Sequence, residues 1–219
     1  MTRVEVCRRL EEVGIVPVVR LPSAVLAARA VEAVLAGGIS VVEITMTVPE
    51  AIGLIRSLRD RFGDRALVGA GTVLTASQAQ ECIDAGAQFI VSPGTDLGTI
   101  ELCRSRDIVV MPGALTPTEV ISAWKAGADI VKIFPCSALG GAKYLRALKG
   151  PLPDVKMLPT GGVSVATVHE YIAAGAAALG IGSELVDPAA LQAGQDEIVR
   201  ERAQALRVAV SRARAELLG

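Results

Sequence analysis

Short apolar segments rich in β-branched residues alternate with longer amphipathic segments along the chain. Eight such segments begin at intervals of about 20 to 27 residues, the span of a strand, a helix and two connections. Because they are apolar on both faces, the pattern predicts parallel strands whose sheet is covered by helices. The segments are IVPVVR from Ile15, VVEIT from Val41, LVGAGT from Leu67, FIVSP from Phe89, IVVMPG from Ile108, DIVKIF from Asp129, KMLPTG from Lys156 and AALGIGS from Ala177.

The intervening segments carry the start and stop signals of helices. In the first of them, Ser23 can cap the helix N-terminus and Gly37-Gly38 can end the helix. An Ala-Gly pair precedes three later strands, after Asp84, Lys125 and Ala173. Because glycine supplies the left-handed residue that follows a helix end, each pair predicts a tight helix-to-strand turn.

The eight strand–helix units predict a single domain over residues 1–219. A further helix precedes the first strand, and we expect residues 188–218 to form one closing helix. No linker or low-complexity segment divides the chain. We therefore predict an α/β fold, a (β/α)8 TIM barrel with an extra N-terminal helix. A doubly wound open sheet is the alternative.

Composition and charge exclude several classes of protein. Apolar residues make up 51% of the chain but aromatic residues only 3%, so the core is built from Ala, Val, Leu and Ile. The net charge of −1 shows no excess of basic residues of the kind that binds nucleic acid. Residues 66–80 form the longest uncharged stretch, which is too short and too polar to span a membrane. We expect a cytoplasmic protein with no nucleic-acid or membrane partner, whose four cysteines are buried free thiols.

Polar residues occupy the last positions of several apolar segments, where a barrel enzyme carries its active site. Side chains alternate between the two faces of a strand, so parity predicts which of them point inward. In DIVKIF this places Lys132 and Phe134 inside the barrel, and in VVEIT it places Glu43 and Thr45 there. The same parity predicts that Arg20 points inward from the end of the first strand.

A lysine and a glutamate inside one barrel predict chemistry, because burying either charge unpaired costs several kcal/mol. A desolvated lysine has its pKa lowered, and its amine then attacks carbonyl groups. We therefore interpret Lys132 as an imine-forming residue and Glu43 as the general acid/base beside it. The alternative is an inert salt bridge between the two side chains.

Two glycine-rich segments at the ends of the seventh and eighth strands predict a phosphate site. PTGGVS contains Gly161-Gly162 ahead of a helix that we expect to begin near Ser164, and GIGS contributes Gly182 and Ser183. Barrels often bind phosphate with these two loops through backbone N–H groups. The alternative is that the glycines only form turns.

The other candidate residues are interpreted as structural. His169 is the single histidine and falls within a helix, so we expect a surface or packing role. Cys136 has no base nearby in the sequence, and Trp124 and Tyr144 are interpreted as helix packing residues. No cluster has metal-ligand spacing and no GxGxxG opens the chain, so we predict no metal and no cofactor.

Seven motifs together resemble the 2-keto-3-deoxy-6-phosphogluconate aldolase family, which includes 4-hydroxy-2-oxoglutarate aldolases. They occur in order from Gly14 to about Val186, and VKIFP, EIT and MPGALTPTE are the specific ones. The resemblance implies a class I aldolase that cleaves a 2-keto-4-hydroxy acid, typically phosphorylated, into pyruvate and an aldehyde. It also implies a homotrimer. The motifs are GIVPVVR, VVEIT, VGAGTV, FIVSPG, MPGALTPTE, ADIVKIFP and LPTGGV.

The resemblance carries over to individual residues of this chain. It implies that Lys132 of VKIFP forms the Schiff base and that Glu43 of VEIT is the general acid/base. Gly161, Gly162 and Ser183 match the phosphate end. Four further residues match positions that line the pyruvyl part, namely Thr72, Pro93, Phe134 and Thr160.

One departure from the family pattern concerns the substrate carboxylate. Many members continue the glutamate strand as E-x-T-x-R, and the resemblance implies that this arginine holds the carboxylate. Here the position is occupied by Thr47. We therefore predict that Arg20 replaces the arginine, with the hydroxyls of Thr45 and Thr47 as lesser contacts. The alternative is that Arg20 pairs with Glu43 or extends into solvent.

Two other functions remain open at the level of the sequence. One is a different phosphate-binding barrel enzyme similar to thiamine-phosphate synthase, which would require a Mg²⁺ carboxylate pair. The other is a non-catalytic sugar-phosphate-binding protein. The sequence also leaves open whether the substrate is the phosphogluconate, the phosphogalactonate or 4-hydroxy-2-oxoglutarate.

Overall fold

The computed structural model describes residues 1–218, and within them every paired strand runs parallel to its neighbours. Two sheets have the strand orders β5-β4-β3-β2-β1-β9 and β6-β7-β8. A bridge between Thr160 and Gly180 connects β8 to β9, and the chain itself runs from β5 into β6. The strands are β1 (Ile15–Val19), β2 (Val41–Thr45), β3 (Leu67–Gly71), β4 (Phe89–Val91), β5 (Val109–Met111), β6 (Gly113–Ala114), β7 (Val131–Ile133), β8 (Met157–Pro159) and β9 (Leu179–Ile181).

These strands form the predicted (β/α)8 barrel, and all eight apolar segments contribute to it. The fifth segment forms two short strands, β5 and β6, on either side of Pro112. Proline has no N–H to donate to the ladder, although its carbonyl still accepts from the Lys132 amide at 2.9 Å. The doubly wound alternative is wrong, because β9 pairs with β1 and closes the circle.

Helices surround the barrel in the order that the sequence predicts. Ser23 caps α2, and Gly86, Gly127 and Gly175 have positive φ immediately after helix ends, as expected. Short 3₁₀ turns occupy Gly63–Arg65 and Cys136–Leu139. The helices are α1 (Arg3–Val13), α2 (Ala24–Ala36), α3 (Ala51–Phe62), α4 (Ala76–Asp84), α5 (Leu97–Ser105), α6 (Pro117–Lys125), α7 (Ala142–Lys149), α8 (Val168–Ala173), α9 (Pro188–Gln192) and α10 (Asp196–Leu218).

Two predicted helix boundaries are wrong. The closing segment is not one helix, because the chain breaks between α9 and α10 at Gly194, whose φ is +76°. The helix after the predicted phosphate loop begins at Val168 rather than near Ser164. There the Thr167 hydroxyl accepts from the Ser164 amide at 2.9 Å, which stabilises a turn ahead of the helix.

The apolar residues divide into two layers with the predicted parity. Val16, Val41 and Ile130 belong to the cluster inside the barrel, whereas Val42 and Val131 belong to the cluster between strands and helices. Glu43 lies two residues after Val41 and Lys132 lies two residues after Ile130, so their strands direct both side chains into the barrel.

Helix α1 closes the N-terminal end of the barrel. Val6 and Leu10 pack into the interior cluster. Arg214 of α10 donates to the carbonyls of Glu11 and Glu12 at 2.6 Å each, which fixes the end of α1. The opposite end of the barrel, where the strands terminate, is thus the end that receives a ligand.

Two further expectations from the sequence concern membrane spans and the cysteines. None of the helices in the described part of the chain has the length and apolar content that a bilayer span requires. All four cysteines are free thiols, but the expectation of burial fails for Cys7, which is only half-buried beside Glu11.

Candidate active site

Lys132 and Glu43 lie on opposite sides of the barrel and are both almost fully buried. Lys132 is in the middle of β7 and 5% exposed, and Glu43 is in the middle of β2 and 1% exposed. The Nζ atom of Lys132 lies 5.0 Å from the centroid of the Phe134 ring. This contact provides a cation–π partner for the ammonium and limits the directions in which the side chain can extend.

The electrostatics of the pair do not match those of an inert salt bridge. No ion pair of 4.0 Å or less joins Lys132 to Glu43, and neither carboxylate oxygen of Glu43 accepts a hydrogen bond from a described residue. Burial raises the pKa of Glu43, and the positive charges of Lys132 and then Arg20 oppose that rise. A buried carboxylate with no partner is available to a substrate or a water molecule.

Gly71 makes room for the Glu43 carboxylate, a role that the sequence analysis missed. It ends β3, directly across from Thr45 of β2. A Cβ atom at Gly71 would lie 1.8 Å from Oε1 of Glu43, so only glycine leaves the carboxylate in this position. The position lies in the AGT motif, but the contact is formed across two strands.

A cavity of about 430 Å³ opens at the C-terminal end of the barrel, next to Lys132. It brings together Lys132, Phe134 and Arg20 with the loops that follow β8 and β9. Eight predicted site residues line it, namely Arg20, Lys132, Phe134, Thr160, Gly161, Gly162, Gly182 and Ser183. Six lining residues were not assigned to the site from the sequence, namely Val18, Val163, Gly180, Glu184, Val186 and Pro188.

Five predicted site residues lie outside the lining of this cavity, namely Glu43, Thr45, Thr47, Thr72 and Pro93. Glu43 lies in the barrel interior. The Thr45 hydroxyl donates to the Val19 carbonyl at 3.0 Å and lies 2.8 Å from the Thr47 hydroxyl. Pro93 packs against Gly113, where a Cβ atom would lie 2.2 Å from the Pro93 carbonyl carbon.

Arg20 extends from the end of β1 and is held by a residue on the neighbouring loop. Its Nη2 donates to the Thr72 hydroxyl at 3.4 Å, and Thr72 has a φ of +58°. A positive φ is strained for a β-branched residue and occurs mainly where surrounding structure enforces it, often at functional sites. No ion pair of 4.0 Å or less joins Arg20 to Glu43, so Arg20 is not paired with Glu43, but Arg20 is exposed, in agreement with the alternative that it extends into solvent.

The predicted phosphate loop requires its glycines. Gly161 and Gly162 have φ values of +96° and +74°, and a Cβ atom at Gly162 would lie 2.6 Å from the Ser137 Cβ. Within β9, ahead of the second loop, a Cβ atom at Gly180 would lie 2.1 Å from the Thr160 hydroxyl oxygen. That buried hydroxyl has no hydrogen-bond partner among the described residues, so it is free to contact a ligand.

The residues interpreted as structural lie away from the cavity. His169 is exposed and lies 3.3 Å from Glu216 of α10. Cys136 is buried and its sulfur contacts the Gly141 carbonyl at 3.5 Å. The Tyr144 hydroxyl donates to the Leu115 carbonyl. Among residues 1–218, no group of three or more His, Cys, Asp and Glu side chains is arranged to hold a metal ion.

The closed parallel barrel, with a buried lysine and glutamate beneath a glycine-lined cavity, defines a barrel enzyme of the aldolase class. The chain belongs to the KDPG and KHG aldolase family, whose family model matches residues 6–201. This confirms the family resemblance of the sequence motifs, and the protein is an aldolase, a lyase.

Individual relatives agree with this assignment. The chain is 38% identical to the 2-dehydro-3-deoxy-phosphogluconate aldolase of Treponema pallidum, over 75% of this chain and 78% of the relative. It is 40% identical to the 2-dehydro-3-deoxy-6-phosphogalactonate aldolase of Escherichia coli, over 71% and 76%. The KDPG aldolase of Legionella pneumophila, solved with pyruvate captured as a covalent carbinolamine intermediate, has a TM-score of 0.84 and 31% identity, covering 94% of this chain and 98% of that one.

Proposed function

We propose that this aldolase cleaves 2-keto-3-deoxy-6-phosphogluconate to pyruvate and glyceraldehyde 3-phosphate through an imine on Lys132. The observation that carries the proposal is the buried Lys132, which lines a cavity together with the Gly161–Gly162 loop, while the buried Glu43 lies across the barrel interior. The pair fits the keto end of the substrate, and the loop fits a phosphate group.

In the first half of the proposed reaction, the Lys132 amine attacks the C2 ketone and water leaves. The product is an imine whose protonated nitrogen accepts an electron pair. Glu43, through a water molecule, removes the proton of the C4 hydroxyl. The C3–C4 bond then breaks, the aldehyde forms at C4, and the bonding electrons move to the imine nitrogen to give an enamine.

In the second half, the enamine takes up a proton at C3 and becomes the imine of pyruvate. Water adds to this imine, and hydrolysis releases pyruvate and restores the Lys132 amine. Because burial raises the pKa of Glu43, this carboxyl holds a proton more readily than an exposed glutamate does, which suits a group that accepts and returns a proton.

We propose that Gly161, Gly162, Gly182 and Ser183 bind the phosphate and that the remaining predicted site residues contact the keto acid. Thr160 and Phe134 line the cavity next to Lys132. Thr72 acts by positioning Arg20. Thr45, Thr47 and Pro93 are also assigned to the keto-acid end of the site. The 40% identity to a phosphogalactonate aldolase supports a phosphorylated six-carbon acid as substrate without selecting the epimer.

The function is tested by assaying purified protein for pyruvate release, with lactate dehydrogenase as the coupling enzyme, before and after treatment with EDTA. We expect cleavage of the phosphogluconate acid and no loss of activity with EDTA, because an imine replaces the metal ion of an enolate-based aldolase. Parallel assays with the galactonate epimer and 4-hydroxy-2-oxoglutarate rank the substrates by kcat/KM. A requirement for divalent metal would contradict the proposed chemistry.

Arg20→Lys tests the assignment of Arg20 to the substrate carboxylate. An arginine binds a carboxylate with two parallel hydrogen bonds, which a lysine cannot reproduce. We expect the KM for the keto acid to rise by roughly tenfold or more, consistent with about 1.5–3 kcal/mol for a charge-assisted bond. We also expect Thr47→Arg to restore part of the loss in the Arg20→Lys background. Unchanged steady-state kinetics in Arg20→Lys would contradict the assignment.

We also propose that the protein is a cytoplasmic homotrimer, the assembly that the family resemblance implies. Sedimentation equilibrium of the purified protein measures the mass directly. A mass close to that of one 22.6 kDa chain would contradict the trimer.

A further inference from the structure

Tyr171 lies directly behind the Gly161–Gly162 loop, on the side away from the cavity. It belongs to α8, is 2% exposed, and does not line the cavity. Its hydroxyl donates to the Gly161 carbonyl at 3.4 Å, a long hydrogen bond that reaches the loop from outside the site.

The geometry of a peptide bond relates this contact to the cavity. The Gly161–Gly162 peptide is trans, since Phe134–Pro135 is the cis bond in the described chain. In a planar trans peptide, the carbonyl and the following N–H point in opposite directions. With the Gly161 carbonyl directed at Tyr171, the Gly162 N–H is directed away from Tyr171, towards the cavity that Gly162 lines. That N–H donates to no acceptor within residues 1–218.

Gly141 and Cys136 flank the Tyr171 hydroxyl, and the Cys136 thiol is also within hydrogen-bonding range of it. A Cβ atom at Gly141 would lie 3.0 Å from the Tyr171 hydroxyl oxygen. Burial raises the pKa of Tyr171 to about 12. The hydroxyl therefore keeps its proton across the pH range in which an aldolase is assayed.

We infer that Tyr171 is a positioning residue for the phosphate end of the site: its hydroxyl holds the Gly161 carbonyl away from the cavity, so that the Gly162 N–H faces the substrate phosphate. This inference rests on the proposed function, in which the Gly161–Gly162 loop binds phosphate. It extends the site to a residue that never touches the substrate.

Tyr171→Phe tests the inference, because it removes only the hydroxyl. We expect the KM for 2-keto-3-deoxy-6-phosphogluconate to rise about three- to tenfold, the range of one hydrogen bond, and kcat to stay within about twofold. The inhibition constant of inorganic phosphate should rise by a similar factor. The kinetics with 4-hydroxy-2-oxoglutarate, which carries no phosphate, should not change.

Tyr144→Phe is the matched control. It removes the other tyrosine hydroxyl of the chain, which also donates to a backbone carbonyl, that of Leu115. We expect its KM values for both substrates to equal those of the wild type. Circular dichroism and Tm of Tyr171→Phe, compared with those of Tyr144→Phe and wild type, show that both variants are folded before their KM values are compared.

Two kinds of failure are distinguishable in these data. If wild-type protein prefers the phosphorylated acid but Tyr171→Phe leaves its KM unchanged, or impairs both substrates equally, the inference about Tyr171 is wrong. If wild-type protein does not discriminate between the two acids and phosphate does not inhibit it, the proposed phosphate site itself is wrong.

Discussion

Lys132→Arg is expected to abolish aldol cleavage, and borohydride in the presence of pyruvate is expected to label wild-type protein at Lys132. An imine requires a neutral amine, and a guanidinium stays protonated and cannot form one. The position is nearly fully buried next to the Phe134 ring, so the Arg side chain also has little room to reach solvent. Mass spectrometry of the reduced protein after digestion locates the adduct.

The other lysines of the chain provide the control. Lys156 lies at the opposite end of the barrel, where its Nζ pairs with Glu11 at 2.5 Å. Lys156→Arg should therefore keep both activity and labelling at Lys132. A pyruvate adduct on Lys156 or another lysine, or measurable turnover by Lys132→Arg, would contradict the assignment of the Schiff base.

Glu43→Gln is expected to lower kcat by roughly 10²–10⁴-fold, the usual contribution of a positioned acid/base. Glutamine has nearly the same shape but cannot take up the C4 hydroxyl proton. Imine trapping with pyruvate should persist, because Lys132 is unchanged. In wild-type protein, the acidic limb of kcat against pH should lie above the usual range for glutamate, since burial raises the pKa of Glu43, and Glu43→Gln should lose this limb.

The burial of Glu43 also predicts an effect on stability. This effect distinguishes a carboxylate kept for catalysis, which destabilises the fold, from one that stabilises the fold through an ion pair. The folded-state pKa of Glu43 lies above its unfolded value, so the folded protein binds more protons than the unfolded chain between those two values. The free energy of unfolding therefore falls as pH rises through that window and stays lower above it. Glu43→Gln should have a higher Tm than wild type at neutral pH, and the difference should shrink in acid.

Glu81→Gln is the matched control for both measurements, because Glu81 is exposed on α4. It should leave kcat and Tm close to those of the wild type. Near-wild-type turnover in Glu43→Gln would indicate that Glu43 only balances the charge of Lys132.

The alternation of side chains was sufficient to find the two central residues of the candidate site. Lys132 and Glu43 each sit among apolar neighbours in a short strand, and a charge there is costly unless it has a use. Parity then directs both into the barrel, as the structure confirms through the apolar residues on either face. This inference needs only the geometry of a single strand.

Contacts between segments that are distant in the sequence could not be predicted from the alternation of side chains within one strand. Gly71 is required because Glu43 of the neighbouring strand occupies the space of its Cβ atom, and Gly180 is required because of Thr160. Tyr171 was not singled out by any motif, because its relation to Gly161 depends on how α8 packs behind the loop. A spacing pattern along one segment contains no information about which side chain from another segment approaches it.

The sequence by itself determined the alternation of parallel strands and helices, the inward direction of Lys132 and Glu43, and the family to which the chain belongs, because strand periodicity and short motifs are local properties. Only the tertiary structure decided that these two side chains form no ion pair, that the Arg20 guanidinium donates to the Thr72 hydroxyl, and that the closing segment breaks at Gly194. Those outcomes depend on distances across the closed barrel and on packing between helices, which arise only when the whole chain has folded.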